Sequence, residues 1–192
     1  NPNMYCLILR DELTGERLGG IRIQVADGRF KLPIEDAIAY IEPRIEKVVQ
    51  EFALNGGVGE LCGLWVSNKL KGLGMGTYLV RAAIASAHQL GFQTMIGICA
   101  KYSLQMFKNV GFVIDQSLGN NGDFSYPNDN YIAHVVGILD SLTLNSSHPH
   151  DKAIMEQLRK ELKQSRSEND KGMTVKINYD LVYPVIKETN YS

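Results

Sequence analysis

The chain has 192 residues, of which 44% are hydrophobic and 21% are charged, and its formal net charge is -1. This length and composition predict one domain with an apolar core, or at most two small domains. The overall charge gives no support to nucleic acid or a membrane surface as a partner.

The charges are nevertheless unevenly distributed along the chain. Residues 61–114 contain no Asp or Glu and five basic residues, which are Lys69, Lys71, Arg81, Lys101 and Lys108. This segment therefore carries +5 and the rest of the chain -6. The pattern fits an anionic ligand, but it also fits buried central strands and a helix that hold few charges of either sign.

The amino terminus and the cysteines indicate the compartment. Cys6, Cys62 and Cys99 lie in apolar runs without metal-site spacing, so we expect reduced core thiols. There is no signal-peptide pattern and no apolar run long enough for a membrane span, so a cytoplasmic location is expected. Because the sequence starts at Asn1 and reaches a predicted strand almost at once, we expect further residues upstream.

The first part of the chain predicts a hairpin followed by a helix. Apolar runs at 5–10 and 18–25 flank a polar turn. Apolar residues then recur every three or four positions over 34–52, after Pro33, and the pattern stops at Asn55-Gly56-Gly57. Pro43 within this stretch predicts a kinked or split helix.

The centre of the chain predicts a parallel βαβ unit. A strand at 60–66 leads through a glycine loop to a helix at 76–90, and a second strand occupies 93–99. A short helix at 103–109 and an extended segment at 112–114 follow. The remaining predicted elements are a loop at 119–123, a strand at 131–139, a polar connector at 146–150, a helix at 151–165 and a strand at 173–185. The architecture is therefore mixed α/β.

The glycine loop 71–77 is the strongest functional motif. Bare amides at a helix N-terminus can bind a phosphate group. A P-loop would need Lys directly after the last glycine, and Thr77 stands there instead. A dinucleotide fingerprint would need a different final spacing and an acidic residue after the next strand, where Lys101 stands, so that interpretation is weak.

Two ordered motifs carry a resemblance to a known family. The stretch Lys71-Gly72-Leu73-Gly74-Met75-Gly76 resembles [QR]-x-x-G-x-[GA], the acyl-CoA-binding motif of the GNAT acyltransferases. The run 106–112, ending in Gly-Phe, is similar to a later helix of that family. The resemblance covers 60–114 well and the flanking segments loosely.

The resemblance implies a fold and an activity. We expect the GNAT acyl-CoA N-acyltransferase fold, α/β or α+β, with a mixed central sheet, a splayed parallel strand pair (60–66 and 93–99) and helices on both faces. Residues 1–192 would form one domain, with core motifs at 60–114 and a C-terminal helix and strand extension at 146–192. The chain would be an acyltransferase of the EC 2.3.1 type, moving an acyl group from a thioester to an amine by direct attack.

The family also implies co-substrates, partners and donor contacts. Acetyl-CoA, acyl-CoA or acyl-phosphopantetheine would be the co-substrate, with no tightly bound cofactor and no metal. The partners would be a small-molecule amine, with acyl carrier protein and a second copy of the chain as further candidates. The pyrophosphate would bind the amides of Leu73, Gly74, Gly76 and Thr77, next to the charge of Lys71. The predicted donor-binding residues are Leu64 and Val66 along the pantetheine arm, Lys71, Gly72, Leu73, Gly74, Met75, Gly76 and Thr77 in the loop, and Phe107.

The catalytic residues are less completely matched. Many family members use a Glu on the strand before the loop as general base, and Glu60 is the acidic residue there, on the same face as Cys62. A solvated strand end is the alternative interpretation of Glu60. Phe107 replaces the Tyr that serves as general acid in the family, and Ala100 replaces the family's Asn, so no general acid is assigned. Tyr78 and Tyr102 lie nearby in the sequence, although a packing role is the commoner case for both.

A narrower resemblance leaves the donor open. The strand 60–66 is similar to the E-L-x-R-[FW]-x-[VI] strand of homoserine-lactone autoinducer synthases, but Gly63 replaces its Arg. This argues against a lactone product and leaves a long-chain N-acyl amino acid synthase using acyl carrier protein as an alternative. The apolar helical stripe at 38–52 would then be the wall of an acyl tunnel, or simply core. A non-catalytic acyl-CoA sensor with the same fold is a further alternative.

Some polar residues have weaker interpretations. His134, in an apolar strand, is expected to be a core residue, and His148 and His150 have too few ligands around them for a metal site. Asp123, Tyr126 and Asp129 flank the loop at 119–123 and could meet an acceptor amine, although solvated loop residues are the commoner case.

Overall fold

A computed structural model describes residues 3–170 and 172–183. Its main feature is a seven-stranded mixed sheet with the order β1-β2-β3-β4-β7-β5, in which β6 also pairs with β7. These strands are β1 (Met4–Arg10), β2 (Arg17–Val25), β3 (Val58–Val66), β4 (Thr94–Ala100), β5 (Val113–Ile114), β6 (Asp123–Ser125) and β7 (Ile132–Ile138). A separate hairpin consists of β8 (Lys163–Asp170) and β9 (Met173–Asp180).

Helices cover both faces of the sheet. They are α1 (Pro33–Ile38), α2 (Arg44–Leu54), α3 (Met75–Leu90), α4 (Leu104–Asn109) and α5 (Pro149–Lys160). The apolar residues of α1 and α2 pack on one face, here called the α1 face, together with Val58, Ile96 and Val135. The other face, the α3 face, packs against α3, Phe107 of α4 and Met155 of α5.

The structure confirms most predicted elements and corrects the ends of two, because the strand predicted over 173–185 stops at Asp180 as β9. The hairpin, the break at Pro43, the parallel βαβ unit and the helix end at Gly91 are all present. The helix predicted over 151–165 is wrong at its end, because α5 stops at Lys160 and β8 begins at Lys163. The segment 163–170 is polar throughout and shows no alternation, so its strand depends on pairing with β9. The last two residues of the strand predicted over 173–185 lie outside the described residues.

A β-bulge changes the direction of the side chains in β3. Between the pairs Arg22–Cys62 and Gly20–Trp65, β3 contains one residue more than β2. Gly63 takes up the extra residue at φ +64°, where a side chain would be strained. Alternation along β3 is therefore interrupted between Cys62 and Leu64, and both Leu61 and Leu64 contact the core on the α3 face.

Helix α3 is buried on more than one side. Its outer residues Ala82 and Ala85 pack against Ile154 and Leu158 of α5 and against Tyr179 and Leu181 at the C-terminal hairpin. The β8–β9 hairpin thus contributes to a second layer over α3 rather than to the main sheet.

An ionic cluster joins these layers. The buried guanidinium of Arg81 on α3 lies 2.6 Å from the Asp151 carboxylate on α5 and 3.5 Å from the Glu168 carboxylate on β8. The Tyr179 hydroxyl donates to Glu168 at 3.2 Å, and burial raises the pKa of Tyr179. One of the five positive charges in 61–114 is therefore structural and not directed at a ligand.

The Arg81 cluster gives a stability prediction. Arg81→Met leaves Asp151 buried without its cation and Glu168 with Arg166 alone, so we expect the free energy of unfolding to fall by about 3 to 5 kcal/mol. Lys163→Met is the matched control, because its ion pair with Asp180 is exposed and should be worth no more than about 1 kcal/mol. Urea unfolding monitored by circular dichroism measures both values. Equal losses in the two variants would contradict the prediction.

Candidate functional site

The candidate site follows the edge of β3 that faces β4. The two strands pair in parallel only from Val58 to Glu60, opposite Thr94 to Ile96. Beyond Glu60 they separate, while β3 continues to Val66 and β4 to Ala100. Within residues 3–170 and 172–183, the backbone groups on this side of β3 have no strand partner in that stretch, so they can hydrogen-bond an extended ligand.

The glycine loop lies at the far end of this edge. Gly74 caps α3 at φ +67°, a left-handed conformation that turns the chain from the loop into the helix. The amides of Gly74, Met75 and Gly76 lie at the start of α3, where no earlier carbonyl of the helix accepts from them. They can therefore bind an anion. The amides of Leu73 and Thr77, also predicted as donors, donate within the loop to the carbonyls of Leu70 and Gly74.

Gly76 faces Met106 and Leu64 at ordinary contact distance. A Cβ atom at Gly76 would lie 3.5 Å from the Met106 sulfur and 3.9 Å from Cδ2 of Leu64. Leu64 therefore connects the loop to the free edge of β3, and Met106 of α4 forms the opposite wall. The sequence had indicated Phe107 instead, but its ring is 8% exposed and packs edge-on against Phe112, at 5.2 Å between ring centres. Phe107 thus has a core role. Met106 was not predicted, because an apolar side chain in a helix does not by itself indicate a binding role.

The charge around the loop is smaller than the sequence indicated. Lys69 forms an ion pair with Glu16 at 2.6 Å. Arg81 is paired in the ionic cluster. Lys71 is exposed at the start of the loop, and no ion pair of Lys71 is found within 3–170 and 172–183.

A cavity of about 340 Å³ opens where β3 and β4 separate. Its walls are Glu60, Leu61, Cys62 and Gly63 of β3, Ile98 and Ala100 of β4, Pro33 and Ala37 of α1, and Tyr126, Pro127 and Ala133. Most of this lining is apolar, and Glu60 is the ionisable carboxyl group in it. Of the three loop residues that were candidates for acceptor contact, Tyr126 lies in the wall.

Glu60 is held in an environment suited to a base. It is 3% exposed, and its Oε2 accepts a hydrogen bond of 2.8 Å from the Ile34 amide in the first turn of α1. Burial raises the pKa of Glu60 to about 8, against the lowering effects of the Ile34 amide and of Arg22. Glu60 is therefore not at a solvated strand end, and its proton affinity suits transfer near neutral pH.

The other sequence candidates are placed differently. The stripe on the helix at 38–52 is mainly core, because Ile38, Ile45 and Val49 are buried under the sheet. Tyr102 is 89% exposed, so the expected packing role is wrong for it, whereas Tyr78 is buried. His134 is a core residue as expected, with Nδ1 3.1 Å from the Asp123 carboxylate, but within the described residues neither ring nitrogen makes a hydrogen bond.

The described residues contain neither a candidate metal site nor a candidate membrane span. Residues 3–170 and 172–183 contain no group of three or more His, Cys, Asp or Glu side chains that could hold a metal ion. In the same ranges, no helix is both long and apolar enough to cross a bilayer.

A family model identifies the chain. The model described as "Acetyltransferase (GNAT) family" matches residues 1–112. Because this is more than half of the chain, the chain belongs to the GNAT acetyltransferase family and is an acyltransferase enzyme. No curated protein sequence gives a significant match.

Solved structures are similar in fold. One is FeeM, an N-acyl amino acid synthase from uncultured soil microbes, with a TM-score of 0.59 at 16% identity over 80% of this chain and 76% of FeeM. Another is BjaI, a CoA-dependent acyl-homoserine lactone synthase with SAM and isopentyl-CoA, with a TM-score of 0.50 at 12% identity over 83% of this chain and 66% of BjaI. With the family match, these likenesses confirm the predicted fold and the resemblance to this branch.

The burial of Glu60 gives a pH-dependent stability prediction. The pKa of Glu60 is about 8 in the folded state, above its ordinary value of 4.5, so the folded state retains a proton that the unfolded state loses. The wild type should lose stability as the pH rises from 4.5 to 8. Glu60→Gln has no proton to lose at this position, so its stability should not fall for this reason. We expect the variant's free energy of unfolding, relative to wild type, to rise by about 3 to 5 kcal/mol across that window.

Urea unfolding at pH 5, 7 and 9 measures this difference. Glu51→Gln is the matched control, because Glu51 is an exposed residue of α2 and its substitution should leave the pH profile unchanged. If the profiles of Glu60→Gln and wild type run parallel, Glu60 does not carry the raised pKa.

Proposed function

We propose that this GNAT-family enzyme transfers an acyl group from a CoA-type thioester to the amine of a small molecule, with Glu60 as general base. The single observation that carries the proposal is the continuous free edge of β3. This edge begins beside the anion-binding amides of the glycine loop, at Leu64, and ends at a buried carboxyl group of raised pKa. A donor along the edge would have its thioester close to the cavity at Glu60.

The donor would bind mainly through backbone groups. Its pyrophosphate would accept hydrogen bonds from the amides of Gly74, Met75 and Gly76, close to the charge of Lys71 and the positive end of the α3 dipole. Gly72 gives the loop its turn, and the amides of Leu73 and Thr77 stabilise the loop itself. The pantetheine arm would lie along Leu64 and Val66, whose side chains face the core and leave the strand edge open.

The reaction would need Glu60 in its ionised form. An ammonium ion entering the cavity gives one proton to Glu60, and the neutral nitrogen then attacks the thioester carbonyl carbon. The new C–N bond forms, the C–S bond breaks, and the nitrogen passes its second proton through water to the departing sulfur, while Glu60 returns the first proton to solvent. The thiolate takes up a proton, so an amine and a thioester give an amide and a thiol. Because Phe107 cannot donate a proton, we propose water as the acid.

The finer identity of the donor has a second candidate. The apolar walls at Ala37, Leu61, Ile98 and Ala133 favour a longer acyl chain over acetate, which would make the enzyme an N-acyl amino acid synthase supplied by acyl carrier protein. FeeM, which is similar to this chain in fold, is described as an N-acyl amino acid synthase. Acetyl-CoA would be the donor if the cavity holds the acceptor alone.

We also propose the setting in which the enzyme works. Cys6, Cys62 and Cys99 are free thiols, which suits the reducing cytoplasm. The buried ion pairs of Arg81 join the C-terminal elements to α3, so the described chain is proposed to form one domain. A homodimer is a further proposal, which the oligomeric state in solution would test.

Substitution of Gly76 tests the donor site. Gly76→Leu should weaken acyl-CoA binding at least about tenfold, because the side chain would fill the space between Met106, Leu64 and the loop amides. Gly76→Ala is the matched control: its methyl group makes only ordinary contacts, and the family motif accepts Ala there. Gly74 is less informative, since a side chain at φ +67° would also disturb the start of the helix.

Isothermal titration with acetyl-CoA and with a long-chain acyl-CoA measures both variants. Tighter wild-type binding of the long-chain donor would favour the synthase. Wild-type affinity of Gly76→Leu for both donors would rule out the loop as the donor site.

The pH dependence of the rate tests the base. With Glu60 ionising at a pKa of about 8, kcat/KM should rise with pH to a plateau above 8, because the carboxylate is the active form. Glu60→Gln should lower kcat at least about a hundredfold and remove this rise with pH. Any pH dependence that comes from ionisation of the substrate amine would remain. Thiol release measured with Ellman's reagent gives the rates. If no donor releases thiol with any amine despite tight binding, the chain is a sensor.

A further inference from the structure

The position of Arg22 places a cation at the rim of the candidate site. Arg22 lies on β2 directly opposite Cys62, and its neighbour Gln24 lies opposite Glu60. All four side chains are on the α1 face, since Ile21 and Ile23 between them face the other core. Cys62 belongs to the cavity wall, and the guanidinium contacts its sulfur, two strand positions away from Glu60.

The contacts of Arg22 are unusual for a half-buried arginine. Its Nε donates to the Cys62 sulfur at 3.0 Å, and Nη1 lies 3.9 Å from the Met4 sulfur. Sulfur is a weak acceptor, whereas a guanidinium offers five N–H donors in a planar fork that matches a carboxylate. The terminal nitrogens of Arg22 are therefore poorly satisfied by the protein.

The charge of Arg22 is also uncompensated. Arg44, Arg81 and Arg166 each form an ion pair with a carboxylate, but none of the ion pairs among residues 3–170 and 172–183 includes Arg22. The acid closest along the same face is Glu60, whose Oε2 is engaged by the Ile34 amide. A carboxylate from outside the chain would supply the missing partner.

The spacing fits a molecule that carries both functional groups. Two positions along a strand span about 6 to 7 Å, and the long arginine side chain can shorten or lengthen this distance. A carboxylate on Arg22 would leave a nearby amine directed at Glu60 and the thioester. The apolar cavity wall would remain available for the rest of the acceptor or for the acyl chain.

We infer that Arg22 selects acceptors whose amine is accompanied by a carboxylate, with amino acids as the acceptor class. This inference rests on the proposed N-acyltransfer and adds the residue that recognises the acceptor. Arg22 acts in binding and positioning, and the proton transfer stays with Glu60. An amine without a carboxylate would still react, but it would bind weakly.

The test compares amino acids with the amines left by their decarboxylation. Leucine is paired with isopentylamine and phenylalanine with phenethylamine, and thiol release gives kcat and KM for each. The wild type should prefer the acid at least about tenfold in kcat/KM, mainly through KM. Arg22→Met should remove the preference by raising KM for the acid, and Arg22→Lys should restore part of it, since a lysine keeps the charge without the fork.

Arg17→Met is the matched control, because Arg17 lies exposed on the same strand and should leave every ratio unchanged. An equal loss for both members of a pair in Arg22→Met would show a merely structural role. A wild type without preference would overturn the inference and leave the acyltransfer standing. If neither the amino acids nor the amines support thiol release, the proposed function is contradicted and the inference fails with it.

Discussion

Backbone hydrogen bonds between β3 and β4 stop at Glu60, and the arrangement of the site depends on this end of pairing. The extra residue at Gly63 prevents the strand from resuming a regular course, since its left-handed backbone shifts every later side chain by one position. Two results follow from one irregularity. The strand edge becomes free for a ligand, and Leu64 and Val66 remain in the core, so the edge stays rigid while it is open.

The chain handles buried charge in two opposite ways. Arg81 is surrounded by two carboxylates and a tyrosine, an arrangement that fixes the geometry of α3 and leaves no charge available for chemistry. Glu60 is as deeply buried, but it accepts one hydrogen bond from a backbone amide and is stabilised by the distant charge of Arg22. Its pKa therefore rises to about 8, and it can gain or lose a proton near neutral pH. The same low polarity therefore gives stability at one place and reactivity at the other.

The sequence was sufficient for features with a strong local signal. Periodicity located α2, Pro43 marked the break, and the glycine loop marked the start of α3. Each of these signals comes from residues that are adjacent in the sequence. The polar strand β8 was missed, since its conformation depends on β9. The bulge at Gly63, the burial of Glu60 and the packing of Phe107 in the core all arise from contacts between distant segments. Spacing along the chain cannot show such contacts.

The link from Arg81 to Asp151 and Glu168 has a consequence for the order of folding. The amino end of α3 faces the proposed donor, but its outer side is completed by segments made about 70 to 90 residues later, a separation that slows folding. During synthesis, α3 would leave the ribosome with an unpaired arginine and an uncovered row of alanines. The helix that supports the glycine loop would therefore reach its final packing late, after the strands on both sides of the site have been made.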